Sequence, residues 1–128
     1  MPATDSGECG SRAAAISNAM TKLDRDHYGR GADTIRTVVG HDHVICFLED
    51  LYTTVVRTLL EAGEIEAVRQ TRLAFQRAME TRFVDAIEAV MGRKVRSFLS
   101  QVTFSPDSSV EIFVLEPDHQ HPAAEGIA

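Results

Sequence analysis

The chain has 128 residues, 44% of them apolar, and 13 lysines and arginines against 19 aspartates and glutamates, a formal net charge of -6. That length fits one domain able to bury a core, and the acidic balance gives nucleic acid or an anionic membrane surface no help from the whole-molecule field. The longest apolar stretches, Val44 to Leu48 and Val110 to Leu115 with one acid inside, fall far short of the roughly 20 residues that span a bilayer.

Residues 1–10 and 117–128 are rich in Gly, Pro, Ser, Asp and Ala without apolar periodicity, and are expected to be flexible tails around a single domain over 11–116. The opening MPATDSGECGSR lacks a charged-then-apolar signal, so a cytoplasmic location is expected. Ala13, Ile16, Met20, Leu23 and His27 step by three and four, which predicts an amphipathic helix over 12–27 with Ser11 as N-cap. His27 ends that stripe, where an imidazolium interacts well with the helix C-terminus.

Tyr28-Gly29-Arg30-Gly31 then turns the helix into a strand. Glycine admits positive φ or close backbone approach, and the guanidinium offers five fixed donors for a carboxylate, phosphate or bicarbonate. The same turn can equally be a helix C-cap with a solvated arginine.

Thr34 to Val39 and His43 to Leu48, joined by Gly40-His41-Asp42, predict a β-hairpin. Val44, Cys46 and Leu48 share one face of its second strand and Ile45 and Phe47 the other. A strand apolar on both faces is covered twice, by helices on one side and, as expected here, by a partner subunit on the other. Cys46 reads as a small buried hydrophobe, and no disulfide with Cys9 is expected in a reducing compartment.

Asp50 is placed to cap a helix from Leu51 to Ala62, with a break at Gly63 and a long helix from Ile65 to Met91, stopped by Gly92. Val68, Phe75, Met79, Phe83, Ala86 and Val90 follow one face of that helix, with Arg72 as the odd rung. It would be roughly 40 Å long, against an expected radius of gyration of roughly 14 Å, which makes it a natural dimerisation element. Lys94 to Phe104 and Ser109 to Leu115 predict a second hairpin around Ser105-Pro106-Asp107-Ser108, with Phe98, Val102 and Phe104 on one face. The order predicts an α+β fold: an antiparallel sheet of two β-hairpins packed with an N-terminal helix and a long central helix, in a homodimer.

Arg72 is the sharpest chemical anomaly, because a guanidinium on an apolar helix face must reach water or find an anion. It either forms an ion pair with Asp or Glu or joins Arg30 and Arg36 around a small anion. Arg36 shares its strand face with Thr34 and Val38, so it meets Arg72 only if that face lies against the long helix. No phosphate-binding glycine loop supports a nucleotide. His41-Asp42-His43 and His119-x-His121 have the spacing of metal dyads, but no further ligands complete them, and they read as a polar turn and a solvated tail. No serine, histidine and acid signature supports nucleophilic catalysis, and Glu80, Asp85 and Glu88 interleave with Arg77 and Arg82 as a solvated face does. No catalytic residue, metal or cofactor is expected.

A helix ending in Y-G-R-G, then I-R-T, an apolar strand, a long arginine-bearing helix ending at Met91-Gly92 and a final E-I-F-V-L together resemble the MpsC family over about residues 11–116. The matching positions are Tyr28, Gly29, Arg30, Gly31, Arg36, Arg69, Arg72, Gly92, Phe113 and Leu115. Where the family usually has a threonine-initiated helix with an acid near its start, this chain has Tyr52-Thr53-Thr54-Val55-Val56. The resemblance implies a component associated with membrane energisation or with bicarbonate and cation transport, held peripherally at the membrane through a transporter subunit, and implies no catalytic reaction. The first expectation is therefore a non-enzymatic accessory or regulatory protein. The alternative is a small-anion or nucleotide-responsive module using clustered arginines.

Overall fold

The computed structural model describes the backbone of residues 2–117 and the side chains of residues 10–117. Its elements run α1 (Pro2–Tyr28), β1 (Thr34–Val39), β2 (His43–Glu49), α2 (Thr54–Glu61), α3 (Ile65–Met91), β3 (Val95–Phe104) and β4 (Asp107–Leu115). The fold is α+β, as the order of the predicted elements implies. All strand pairs are antiparallel, in the order β1-β2-β4-β3, so the second strand of each hairpin is central.

Two helix boundaries differ from expectation. The stretch over 2–10 belongs to α1 rather than to a tail, and Ser11 lies inside the helix. Proline at a first helical position fits the required φ, and single glycines such as Gly7 and Gly10 weaken a helix by about 1 kcal/mol without ending it. α2 starts later than predicted because Thr53 is its cap, its side chain accepting from Val56 N at 3.2 Å. Asp50 instead takes φ 60 in the preceding loop. The expected tail over 117–128, with His119 and His121, lies outside the described residues beyond Glu116 and Pro117.

α1 and α3 lie side by side on one face of the sheet, α1 over β1 and α3 over β3. The buried stripe of α3 is Val68, Arg72, Gln76, Met79, Phe83, Ile87 and Met91, so Phe75, Ala86 and Val90 sit beside it rather than on it. Ile16 and Met20 of α1 meet Val44, Cys46 and Leu48 of β2 and Phe113 and Leu115 of β4 in one core. Phe98, Phe113 and Phe83 form an aromatic run, with ring centroids 5.0 Å apart for Phe98 and Phe113 and 6.3 Å for Phe83 and Phe98. Ser17 and Thr37 hydroxyls, 2.8 Å apart, tie α1 to β1.

The end of the domain near Gly92 is closed by Arg93, which donates to His41 O and Glu116 O, each at 2.6 Å. Glu88, expected on a solvated face, accepts from Val95 N at 2.8 Å and anchors the start of β3. Among the described residues no helix is long and apolar enough to cross a membrane.

Phe113 is 0% exposed at the centre of the core. Truncation leaves a cavity that packed neighbours fill only in part, so Phe113→Ala is expected to cost about 3–5 kcal/mol, a large share of the roughly 5–15 kcal/mol that holds a domain folded. Urea unfolding followed by circular dichroism checks it.

Candidate functional site

The Y-G-R-G turn is built as a tie. Gly29 ends α1 at φ 101, a conformation that side chains with a Cβ rarely adopt. At Gly31 an added Cβ would stand 2.9 Å from Thr21 Cγ2, so β1 leaves α1 in contact with its last turns. Arg30 spends its donors within the chain: Nη2 on Asp33 Oδ1 at 2.6 Å, Nη1 on Tyr52 O at 3.0 Å and Nε on Gly31 O at 3.2 Å. Tyr52 passes the tie on, its N–H donating to Asp107 Oδ2 at 2.7 Å and its hydroxyl to Phe104 O at 2.6 Å. The arginine between the glycines therefore joins the α1–β1 turn, the loop before α2 and the second hairpin turn. It is neither a solvated cap nor an open anion fork.

The arginines singled out by sequence do not gather. Arg36 points away from the helices and lies over the Phe47 ring at 4.1 Å. Arg69 is near one end of α3, its Nε 3.3 Å from Glu66 Oε2 and its guanidinium 5.2 Å from the Phe104 ring. Arg72 is on the opposite side of the sheet from Arg36, between α3 and the strands. A single chain thus does not bring Arg30, Arg36 and Arg72 around one anion. Both faces of β2 are apolar, and alternation alone does not say which face the helices cover.

Arg72 forms the centre of a different constellation. Only 5% exposed, it stacks 4.7 Å from the Tyr28 ring and 5.9 Å from the Phe75 ring. Tyr28 packs on Phe75 at 4.9 Å rather than on the sheet edge. Guanidinium over aromatic faces is attractive and leaves the in-plane donors free. Among the described residues no carboxylate forms an ion pair with it, contrary to the expected structural pair. It looks instead into a cavity of about 10 Å³, lined by Asp24, Gln76, Ser109 and Glu111 together with apolar neighbours.

These polar side chains are nearly sealed from solvent: Asp24 and Glu111 are each 3% exposed, Gln76 5% and Ser109 2%. Asp24 Oδ2, Arg72 Nη1, Gln76 Nε2, Ser100 Oγ, Ser109 Oγ and Glu111 Oε1 have no protein hydrogen-bond partner. Burial pushes the Asp24 carboxyl up to about 6, against the pull of Arg72. Glu111 is pushed to about 7, chiefly by burial, while the neighbouring Ser100 and Ser109 hydroxyls and Arg72 favour its charged form and Asp24 opposes it. Those hydroxyls lie beside the carboxylate without reaching full hydrogen-bond geometry. Cys46 behaves as the expected buried hydrophobe, its thiol raised to about 11 mainly by burial.

Sequence reasoning missed Asp24, Gln76, Ser100, Ser109 and Glu111 as partners of Arg72. Their signals were present: Ile16, Met20, Asp24 and Tyr28 step by four, and Ser109, Glu111, Phe113 and Leu115 alternate along one strand face. The inward stripe of α1 ends on Tyr28 rather than on His27, which is exposed.

The molecule is thus a two-layer α+β domain with a charged cluster between helices and sheet and an opposite sheet face that no element among the described residues covers. It belongs to the MpsC family: the family described as Na+-translocating membrane potential-generating system (MpsC) matches residues 8–117. It is similar to the uncharacterized protein YbcI of Bacillus subtilis (strain 168), 26% identical over 107 residues that cover 83% of this chain and 86% of that protein. No solved structure gives a significant match.

Arg30→Lys keeps the charge but gathers its donors on one nitrogen, which cannot reach the three acceptors that Nε, Nη1 and Nη2 meet separately. It is expected to destabilise the domain by about 1–2 kcal/mol through the Tyr52 and Asp33 contacts, a figure already reduced for the exposure of that ion pair. Urea midpoints compared with wild type measure it.

Proposed function

We propose that this chain is a non-enzymatic accessory or regulatory component of a membrane-energising system, one that moves a cation or bicarbonate, and that it works as a homodimer held at the membrane by a protein partner. The family description supports the link to a membrane-energising system. The observation that carries the mode of action is the sheet face that no helix among the described residues covers.

On that face Val38, Ile45, Ile112 and Leu99 stand in register across all four strands. A second row holds Arg36, Phe47, Val110 and Gln101. Val38 is 38% and Leu99 53% exposed in the single chain. An apolar patch that runs across a whole sheet marks an interaction surface rather than ordinary surface scatter.

A second copy of the chain is the occupant that this surface fits. Sheets stack face to face through such rows, and a two-fold interface presents the same patch from both sides. Arg36 and Glu49 both point outward, on neighbouring strands at the polar margin of the apolar rows. Two-fold stacking can set each arginine against the partner's acid. The alternative of an anion- or nucleotide-responsive module lacks the convergence of arginines on which it depends.

Size exclusion with light scattering is expected to give a dimer at micromolar concentration and a folded monomer for Leu99→Glu, since Leu99 is exposed and its replacement does not disturb the core. A monomeric wild type would sink the dimer. In membrane fractions of the native host the protein is expected to sediment, to be released by alkaline carbonate and to co-purify in stoichiometric amount with a polytopic membrane protein. Recovery only in the supernatant counts against the accessory role.

A further inference from the structure

We propose that the cavity between α1, α3 and the two central strands, β2 and β4, is a binding site for a single exchangeable proton, shared between Asp24 and Glu111 beside the fixed charge of Arg72. The site stands on geometry and does not depend on the function proposed above. Two carboxylic acids from different elements, α1 and β4, line one cavity with a guanidinium that stays protonated in proteins. With both acids ionised the buried cluster carries one net negative charge, and with both protonated one net positive charge. Only with one proton between them is it neutral, and burial strongly favours the neutral state.

The surroundings reinforce that count. Asp24 and Tyr28 face the site from α1, and Arg72 and Gln76 from α3. Cys46 approaches from β2, Ser100 from β3 and Ser109 from β4. Asp107 and Tyr52 lie within the field of Arg72. Arg72 is the positive charge acting on both acids, while the Cys46 thiol, held well above its ordinary range, stays neutral. A cavity of about 10 Å³ is close to the smallest that admits one water, and the polar atoms facing it exceed the two to four partners a buried water uses. One such water can relay the proton between carboxylates that do not touch.

Two acids that share a proton titrate as a pair, in coupled steps. Carbon-13 NMR of the wild-type carboxyls, with Asp24→Asn and Glu111→Gln used to assign the signals, is expected to show coupled steps, the last proton leaving the pair above about pH 6. Midpoints for both groups in the ordinary carboxylate range near about pH 4 would overturn the proposal, because Arg72 would then hold both acids ionised.

Stability gives a second readout. Each acid has its folded value raised, to about 6 and about 7, so the folded chain keeps a proton that the unfolded chain has released. The stabilisation is complete below about pH 4 and is lost as pH rises through the two folded values. The growing net negative charge acts in the same direction, so variants are compared with wild type at one pH. Glu111→Gln, which mimics the protonated acid, is expected to melt higher than wild type at about pH 8 and to lose most of its dependence on pH above about 5. Melting lower than wild type at the alkaline end would show that the ionised carboxylate is the favoured form, and the proton site would fall.

Discussion

The constraint from which the rest of the structure follows is the burial of Arg72. A guanidinium cannot shed its charge in a protein interior, so the neighbours must accommodate it. Tyr28 and Phe75 supply aromatic faces, while Asp24 and Glu111 supply negative charge at a distance. Tyr28 is also the last residue of α1. Its ring meets Arg72 where the helix ends, and Gly29 turns the chain immediately afterwards. Arg30 then fastens that turn to Tyr52, which reaches the second hairpin. The family motif and the buried arginine are thus one mechanical unit, although 44 positions separate Tyr28 from Arg72.

A buried ionic cluster is a poor way to gain stability, since well-packed apolar side chains of similar volume usually do as well or better. This chain places one where α1, α3 and two strands meet, and leaves several of its polar atoms without protein partners. Such groups are costly unless water or a proton completes them. The energetic demand falls on the contact between helix layer and sheet, because Asp24 comes from α1 and Glu111 from β4. Whatever state the acids take, both layers must fit it together.

Much of the fold is legible in the sequence because its boundaries are chemical. β-branched runs on either side of Gly40-His41-Asp42 set the first hairpin, and the glycines at 63 and 92 bracket α3. The start of α1 is harder, since polar composition looks like a tail while nothing in it forbids a helix. Arg72 stands out by sequence as a charge in an apolar stripe, and it is buried. Its partners do not stand out, because Asp24 and Glu111 look like ordinary acids until two separate periodicities are laid over each other. The meeting of Arg36 with Arg72 fails for a related reason. Strand alternation says which residues share a face but not which face a distant helix will cover, and here both faces are apolar.

Strand alternation also places the two proposed sites back to back. Glu111 points into the sealed cluster, while Val110 and Ile112, its neighbours on β4, point to the uncovered face. Likewise Cys46 and Leu48 face the core from β2, and Ile45 and Phe47 face outward. The two central strands therefore carry charge and packing on one side and the apolar rows on the other. Their backbone ladder holds the two faces in fixed register, since a slip of one residue would exchange them. That arrangement accounts for central strands apolar on both sides although no helix among the described residues is long and apolar enough to cross a membrane: one set of side chains closes the domain, and the other forms the face proposed to meet a second copy.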